Sequence, residues 1–417
     1  MLRHLPALRE RNFALFISGH FLSLIGTAMQ NTVQPLVAYH LSNSRFDLGL
    51  IGFALTLPTF FFALPAGVLV EHLEKRKVVI AMQTIMMLQA FLLAWLTWSR
   101  TIRISHLVWL SLLLGIASTV EITARQAMLS ELASVPALPN AIALQSMAFN
   151  LSRAFGPSLA TILLLSFPEH GEALVFFLNG VSFLFVLGSL FAIRKSNAHL
   201  PAPGHSFHFR EEIAEGAQYL LHHLTIRRIV FLAGIMGLLA FPVVQQIPAI
   251  ARELLSAPGT PRAVVDARSS AIYTAQGFGA LTASLLLSLF SLRIQDQERW
   301  AAIGQLAYLL AVLIIAFAPP FPLALLLVFL MGWGSVTQLA LSNTVIQTGT
   351  PDELRGRVFS IYLWAIQGVT PFGSLLIGYL AQRYGLPLTL RLVALLCLSG
   401  MAGVKRGSAR PRDSLPG

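Results

Sequence analysis

Two charged side chains, Glu121 and Arg125, stand four residues apart within an otherwise apolar stretch. That spacing puts both on one face of a helix. A carboxylate so placed can take up and release a proton, or it can hold a permanent ion pair that orders the helix. His20, in another apolar stretch, is the second side chain able to carry a proton. Arg153 lies on a helical stripe with Ser146, Asn150 and Pro157. It must either face a cavity, where it would attract a carboxylate or catecholate, or pair with Glu121. Uncharged polar residues form further seams: His20, Ser23, Thr27, Gln30 and Gln34, then Gln245 and Gln246, Tyr273 and Gln276, Gln338 and Ser342, Gln367 and Thr370. Such seams line a water-filled path or tie helices together by hydrogen bonds.

The elements that position these residues follow from composition. Of 417 residues, 55% are hydrophobic and only 11% charged, and the mean hydropathy is +0.71. Soluble proteins carry roughly 25% charged residues; a soluble chain this apolar would expose patches that no monomer tolerates. An integral membrane protein is therefore expected. Inside a span a charge costs about 2.5–3.5 kcal/mol on insertion scales, which is why Glu121, Arg125 and Arg153 draw interest. The single cysteine, Cys397, sits in an apolar run and reads as packing. There is no Walker-type stretch and no His-Glu-x-x-His motif, so neither a cofactor nor a catalytic site is expected.

A helical span needs about 20 apolar residues. Twelve segments qualify: 13–38, 46–70, 78–99, 105–131, 140–166, 172–192, 229–251, 269–292, 299–318, 321–345, 356–382 and 386–404. With the N-terminus inside, nineteen of the 29 Lys and Arg residues fall in cytoplasmic segments and seven outside; Arg125, Arg153 and Arg391 lie within spans. Basic residues are retained on the cytoplasmic side, so both termini are expected there and the +11 net charge calls for no nucleic-acid partner. The domain reading is an N-terminal six-helix bundle (1–192), a linker with an amphipathic helix (193–228), a C-terminal six-helix bundle (229–404) and a tail (405–417). A shift of 216 residues aligns the first span with the seventh and places Gln30 on Gln246. Parallel halves of this kind occur in secondary transporters, with substrate sites at the repeat interface.

After the second span the chain reads Ala66-Gly67-Val68-Leu69-Val70-Glu71-His72-Leu73-Glu74-Lys75-Arg76-Lys77. This resembles the cytoplasmic signature of the major facilitator superfamily, Gly-x-x-x-Asp-Arg-x-Gly-Arg-Arg/Lys. Gly67 and Arg76 fit, Lys75 is conservative, Glu71 replaces Asp, and His72 and Glu74 depart from it. The stretches Arg11-Asn12-Phe13-Ala14-Leu15-Phe16, Ala124-Arg125-Gln126-Ala127, Asn150-Leu151-Ser152-Arg153-Ala154-Phe155-Gly156-Pro157 and Thr350-Pro351-Asp352-Glu353-Leu354-Arg355-Gly356-Arg357-Val358 look like the transmembrane secretion effector or enterobactin exporter-like branch.

The resemblance implies an all-α membrane fold of twelve helices in two six-helix bundles. It implies a cytoplasmic gate of Gly67, Glu71, Arg76, Arg125 and Gly356, with Glu71 meeting the start of the eleventh helix. Gly156-Pro157 resembles an element of exporters. The expected activity is proton-coupled export of an amphipathic or anionic small molecule, drug-like or siderophore-like, by alternating access in the inner membrane. Glu121 and His20 are the proton-coupling candidates, and Thr27, Gln30, Gln34, Arg153, Gln246 and Gln338 the pathway candidates. The expected partners are the small-molecule substrate, the lipid bilayer and protons. A uniporter, an importer, a lipid translocator, and a membrane scaffold or sensor that does not transport are the alternatives.

Overall fold

The structure, a computed structural model, describes residues 6–71, 73–193, 209–290, 294 and 296–408. Among these, twelve helices are long and apolar enough to cross a membrane. They are α1 (Arg11–Ser42), α2 (Arg45–Glu71), α3 (Lys75–Trp98), α4 (Ile104–Leu132), α5 (Leu138–Ser166) and α6 (Gly171–Ala192). The second half has α7 (Leu224–Leu254), α8 (Arg262–Phe290), α9 (Gln297–Ile315), α10 (Phe321–Gly349), α11 (Leu354–Tyr384) and α12 (Leu386–Ser408). With twelve consecutive crossings α1 begins and α12 ends on one face, the terminal face; the other is the distal face.

The packing repeats with the order of the spans. In the first half α1 lies on α5 and α6, α2 on α4, and α3 on α4 and α6. In the second, α7 lies on α11, α8 on α10, and α9 on α10 and α12. Between the halves α5 crosses α8 and α2 crosses α11. Adding six to one member and subtracting six from the other turns the first crossing into the second, so the interface obeys a pseudo-twofold relation. Both crossings are tight. At one, a Cβ on Gly277 of α8 would collide with the Arg153 backbone carbonyl of α5; at the other, a Cβ on Gly378 of α11 would stand 2.9 Å from the Gly49 Cα of α2. Small residues let membrane helices approach this closely where no hydrophobic force drives them together.

Some spans differ from their sequence expectations. α8 starts at Arg262 rather than 269, which brings Asp266 into the helix, and α7 runs on to Leu254, which brings in Glu253. α7 is not a uniform α-helix: Met236–Ala240 and Ile250–Leu254 are π turns, and Phe241–Gln246 is a 3-10 turn. Pro242 accounts for the first π turn and the 3-10 turn, because it removes a backbone donor and crowds the preceding turn. α11 has its own π turn at Trp364–Gly368, just before Pro371. The amphipathic linker helix runs Phe209–His222. It docks on the protein: Tyr219 and Leu220 pack with Ile226, Val358 and Tyr362, Tyr219 Oη donates to the Gly349 carbonyl, and Arg357 pairs with Glu215. The preceding linker, 196–206, lies outside the described residues.

Candidate functional site

Two cavities lie between the halves. The central one, about 300 Å³, is walled by Thr27 and Gln34 of α1, Phe149 and Arg153 of α5, Gln245 of α7, and Tyr273 and Gln276 of α8. The second, about 690 Å³, extends toward the terminal face along His20, Arg125, Gln126, Asn150 and Asn343, as far as Leu129 and Leu138 near the ends of α4 and α5. Leu24, Phe149 and Arg153 belong to both walls. Arg153 therefore stands where the two meet. Its guanidinium lies 5.7 Å from the Phe149 ring centroid, and no carboxylate pairs with it among the described residues. Glu121, the partner that the sequence left open, is engaged elsewhere. It accepts from Arg125 Nε at 3.0 Å and from Gln83 Nε2 at 2.9 Å.

The other expected pathway residues divide. Thr27 and Gln34 are on the central wall, and Gln34 Nε2 also donates to Ser111 Oγ at 2.6 Å. Gln30 is on neither wall. It is buried within the first half, where its amide nitrogen donates to Gln89 at 3.2 Å and its oxygen accepts from Asn179 at 2.8 Å. Gln246 is also off both walls, because the 3-10 turn shifts the register and presents Gln245 to the cavity instead. Gln246 Nε2 donates to the Arg45 carbonyl. Gln338 is buried against Gly304 of α9 and lines neither cavity. Gln30 and Gln246 thus tie helices together, the second role open to such a seam, while the side-chain oxygen of Gln338 is buried without a partner.

His20 lines the terminal cavity. Its ring stacks on Phe16 at 5.2 Å, and neither ring nitrogen has a hydrogen-bond partner although both are buried. A buried polar atom without a partner is costly, so these two nitrogens mark a place that a proton, water or ligand would satisfy. Of the expected gate, Arg76 donates to the carbonyls of Leu190 at 2.8 Å and Phe191 at 3.4 Å. A cation is favoured there, at the C-terminus of α6. Arg125 lines the terminal cavity. Gly67 and Glu71 fall among residues whose side-chain surroundings lie outside the described set. Gly356 stands in open space, with nothing within 4 Å of a Cβ built on it. Phe60 packs against Phe61, Trp364 and Phe372 at the α2–α11 crossing, while Phe61 and Phe62 are exposed.

Sequence reasoning missed the closure of the distal face. Arg45 of α2 clasps Glu253 of α7 at 2.7 Å, and Tyr39 Oη of α1 donates to the same carboxylate at 2.6 Å. His40 of α1 lies 2.8 Å from Asp266 of α8, and Arg262 of α8 lies 2.7 Å from Glu172 of α6. Each contact joins one half to the other. Their sequence signal was weak, since charges at the ends of spans usually mean only that the chain has reached water. The distal side of the cavities is thus shut, while the larger cavity runs toward the terminal face.

The family model for transmembrane secretion effectors matches residues 3–414. The multidrug efflux pump Tap of Mycolicibacterium fortuitum is 24% identical over 382 residues, covering 88% of this chain and 89% of its own. The staphyloferrin A transporter of Staphylococcus aureus is 23% identical over 395 residues, covering 93% and 92%. Among solved structures, a nucleoside transporter variant superposes with a TM-score of 0.76 at 12% identity, covering 95% of this chain and 99% of its own. A bacterial homologue of the human lysosomal transporter Spinster gives 0.71 at 13% identity, covering 95% and 96%. With its twelve membrane helices in two six-helix bundles, the chain belongs to the transmembrane secretion effector family of major facilitator transporters.

Proposed function

We propose that this transporter exports an amphipathic, anionic small molecule, with residues 1–192 and 229–404 rocking against each other and protons flowing inward. The observation that carries the reading is Arg153: a cation at the junction of the two cavities, without a carboxylate partner among the described residues. A charge inside a membrane protein costs several kcal/mol unless something answers it, and an anionic substrate would do so. The surrounding surface suits the rest of such a molecule, since Phe149, Leu55 and Ile51 are apolar while Thr27, Gln34 and Gln245 offer hydrogen bonds. The similarity to a protein named as a multidrug efflux pump and to one named as a staphyloferrin A transporter supports transport of a small molecule by efflux.

The bias of basic residues supports a cytoplasmic position for both termini; on that orientation the distal face is the outside, shut here by its ion pairs. His20, with two unpartnered nitrogens on the cytoplasmic cavity, is a better proton carrier than Glu121, which is tied to Arg125 and Gln83.

Efflux from everted vesicles tests the reading. A panel of anionic amphiphiles should be moved by the wild type when a pH gradient is imposed. Arg153→Gln should lose at least about tenfold of that flux, the equivalent of some 1.4 kcal/mol, and Arg153→Lys should retain part of it. Equal transport of neutral analogues, or unaltered flux in Arg153→Gln, would defeat the anionic reading.

A further inference from the structure

We propose that His40 is a proton-binding site of the distal gate, and that a proton bound there latches the two halves shut. The proposal rests on the alternating-access reading above and adds a site to it. His40 lies in the last turn of α1, with its side chain 10% exposed. Nδ1 is 2.8 Å from Glu172 Oε1 of the same half, and Nε2 is 2.8 Å from Asp266 Oδ1 of the other half. Ionised carboxylates only accept hydrogen bonds. Both contacts can be hydrogen bonds at once only when both ring nitrogens carry hydrogen, which is the charged imidazolium. A neutral ring has one bare lone pair, and the site holds a partner for that state too, since Arg262 Nη2 is 2.5 Å from Nδ1. Nδ1 thus has Glu172 to receive a proton and Arg262 to fill its lone pair. The exchange is feasible because the Arg262 side chain is 58% exposed and can turn to water.

Glu172 faces His40 from α6, and Asp266 and Arg262 face it from α8. On α1 itself, Tyr39 is committed to Glu253 of α7, which Arg45 of α2 clasps. Arg268 of α8 is committed to the Leu255 carbonyl and Ser256, Arg252 extends the charged end of α7, and Glu169 pairs with Arg100. A charged His40 balances Arg262, Glu172 and Asp266 to zero, whereas a neutral one leaves one negative charge in excess.

Opening the distal face would carry Asp266 and Arg262 away while Glu172 stays with His40. The two losses oppose each other. Asp266 is buried, so its pull on the proton is little screened. Arg262 is mostly exposed, so its repulsion is weak. The proton is therefore held more tightly in the closed state, and by linkage acid favours closure. A proton arriving from outside meets this site when the gate is open, and its binding favours the return toward the cytoplasm.

The test is a distance measurement between spin labels at Arg103→Cys and Arg383→Cys in a Cys397→Ala background, in lipid nanodiscs without substrate or gradient. The ratio of open to closed distal gate should rise about tenfold between roughly pH 5.5 and 7.5, the range in which histidine changes charge. His40→Gln should give the same distance distribution at both pH values. Glu253→Gln, which cuts the neighbouring clasp, should open the gate more at either pH yet keep the pH response, which separates a weakened gate from a lost proton site. A wild type without pH response, or a His40→Gln protein that keeps it, would overturn the proposal. Because no transport is measured, flux indifferent to a pH gradient would sink proton-driven export and leave this result standing.

Discussion

Where α5 crosses α8, the carbonyl oxygen of Arg153 presses against Gly277, and no Cβ fits between them. The residue that carries the charge of the central cavity is thus held at a crossing between the halves, about which the proposed rocking would turn. A small shift there displaces the guanidinium relative to the α8 wall formed by Tyr273 and Gln276.

Gly277→Ala should therefore be costly. Forcing extra volume into such a contact costs about 1–3 kcal/mol, and the collision here is with backbone, which cannot rotate away. Thermal unfolding in detergent should show a clear fall in Tm, with weakened flux of the proposed anionic substrate. Gly188→Ala is the control, because nothing lies within 4 Å of a Cβ there and its Tm should be unchanged or slightly higher.

The buried Glu121–Arg125 pair makes a different forecast. Glu121→Gln leaves Arg125 without its counter-ion. Breaking a buried pair costs as much as about 3–5 kcal/mol, and less here because Arg125 reaches a cavity. A double-mutant cycle with Arg125→Gln should recover part of the loss, the mark of a structural pair. Gradient-driven flux should survive in Glu121→Gln and fall to the gradient-independent level in His20→Gln. The reverse pattern would move the proton to Glu121.

Gln30 should behave as glue. Gln30→Leu strands Gln89 and Asn179, and interhelical hydrogen bonds in membrane proteins average about 0.6 kcal/mol with a maximum of about 1.7. A modest drop in Tm with an unaltered substrate profile is expected. Thr27→Val, on the cavity wall, should do the opposite, changing the profile at nearly constant Tm. Flux competition among a panel of substrates, run on both variants, would distinguish the two roles.

The spans, their number and the linker helix were readable because hydrophobic length and the 3.6-residue period are local properties of the chain. The stripe that puts Arg153 beside Asn150 and Pro157 was legible for the same reason. Gln245 and Gln246 were not distinguishable, because Pro242 and Pro248 break the period on which such a reading depends. Gln30 looked like a pathway residue, since helical spacing identifies a face and says nothing of what that face meets.

By itself, then, the sequence determined that this chain is a twelve-span membrane protein, which residues share a helical face, and where charge is buried at a cost. Beyond pairs within one helix, tertiary structure alone decided who answers those charges. Glu121, paired with Arg125 on its own helix, found Gln83 of α3, Arg153 found a cavity, and His40 found Glu172 and Asp266, 132 and 226 residues away along the chain. Hydrophobic burial in a bilayer is read from composition because it acts on each residue separately. An ion pair between distant residues depends on two positions at once, and only the packing of the helices brings those positions together.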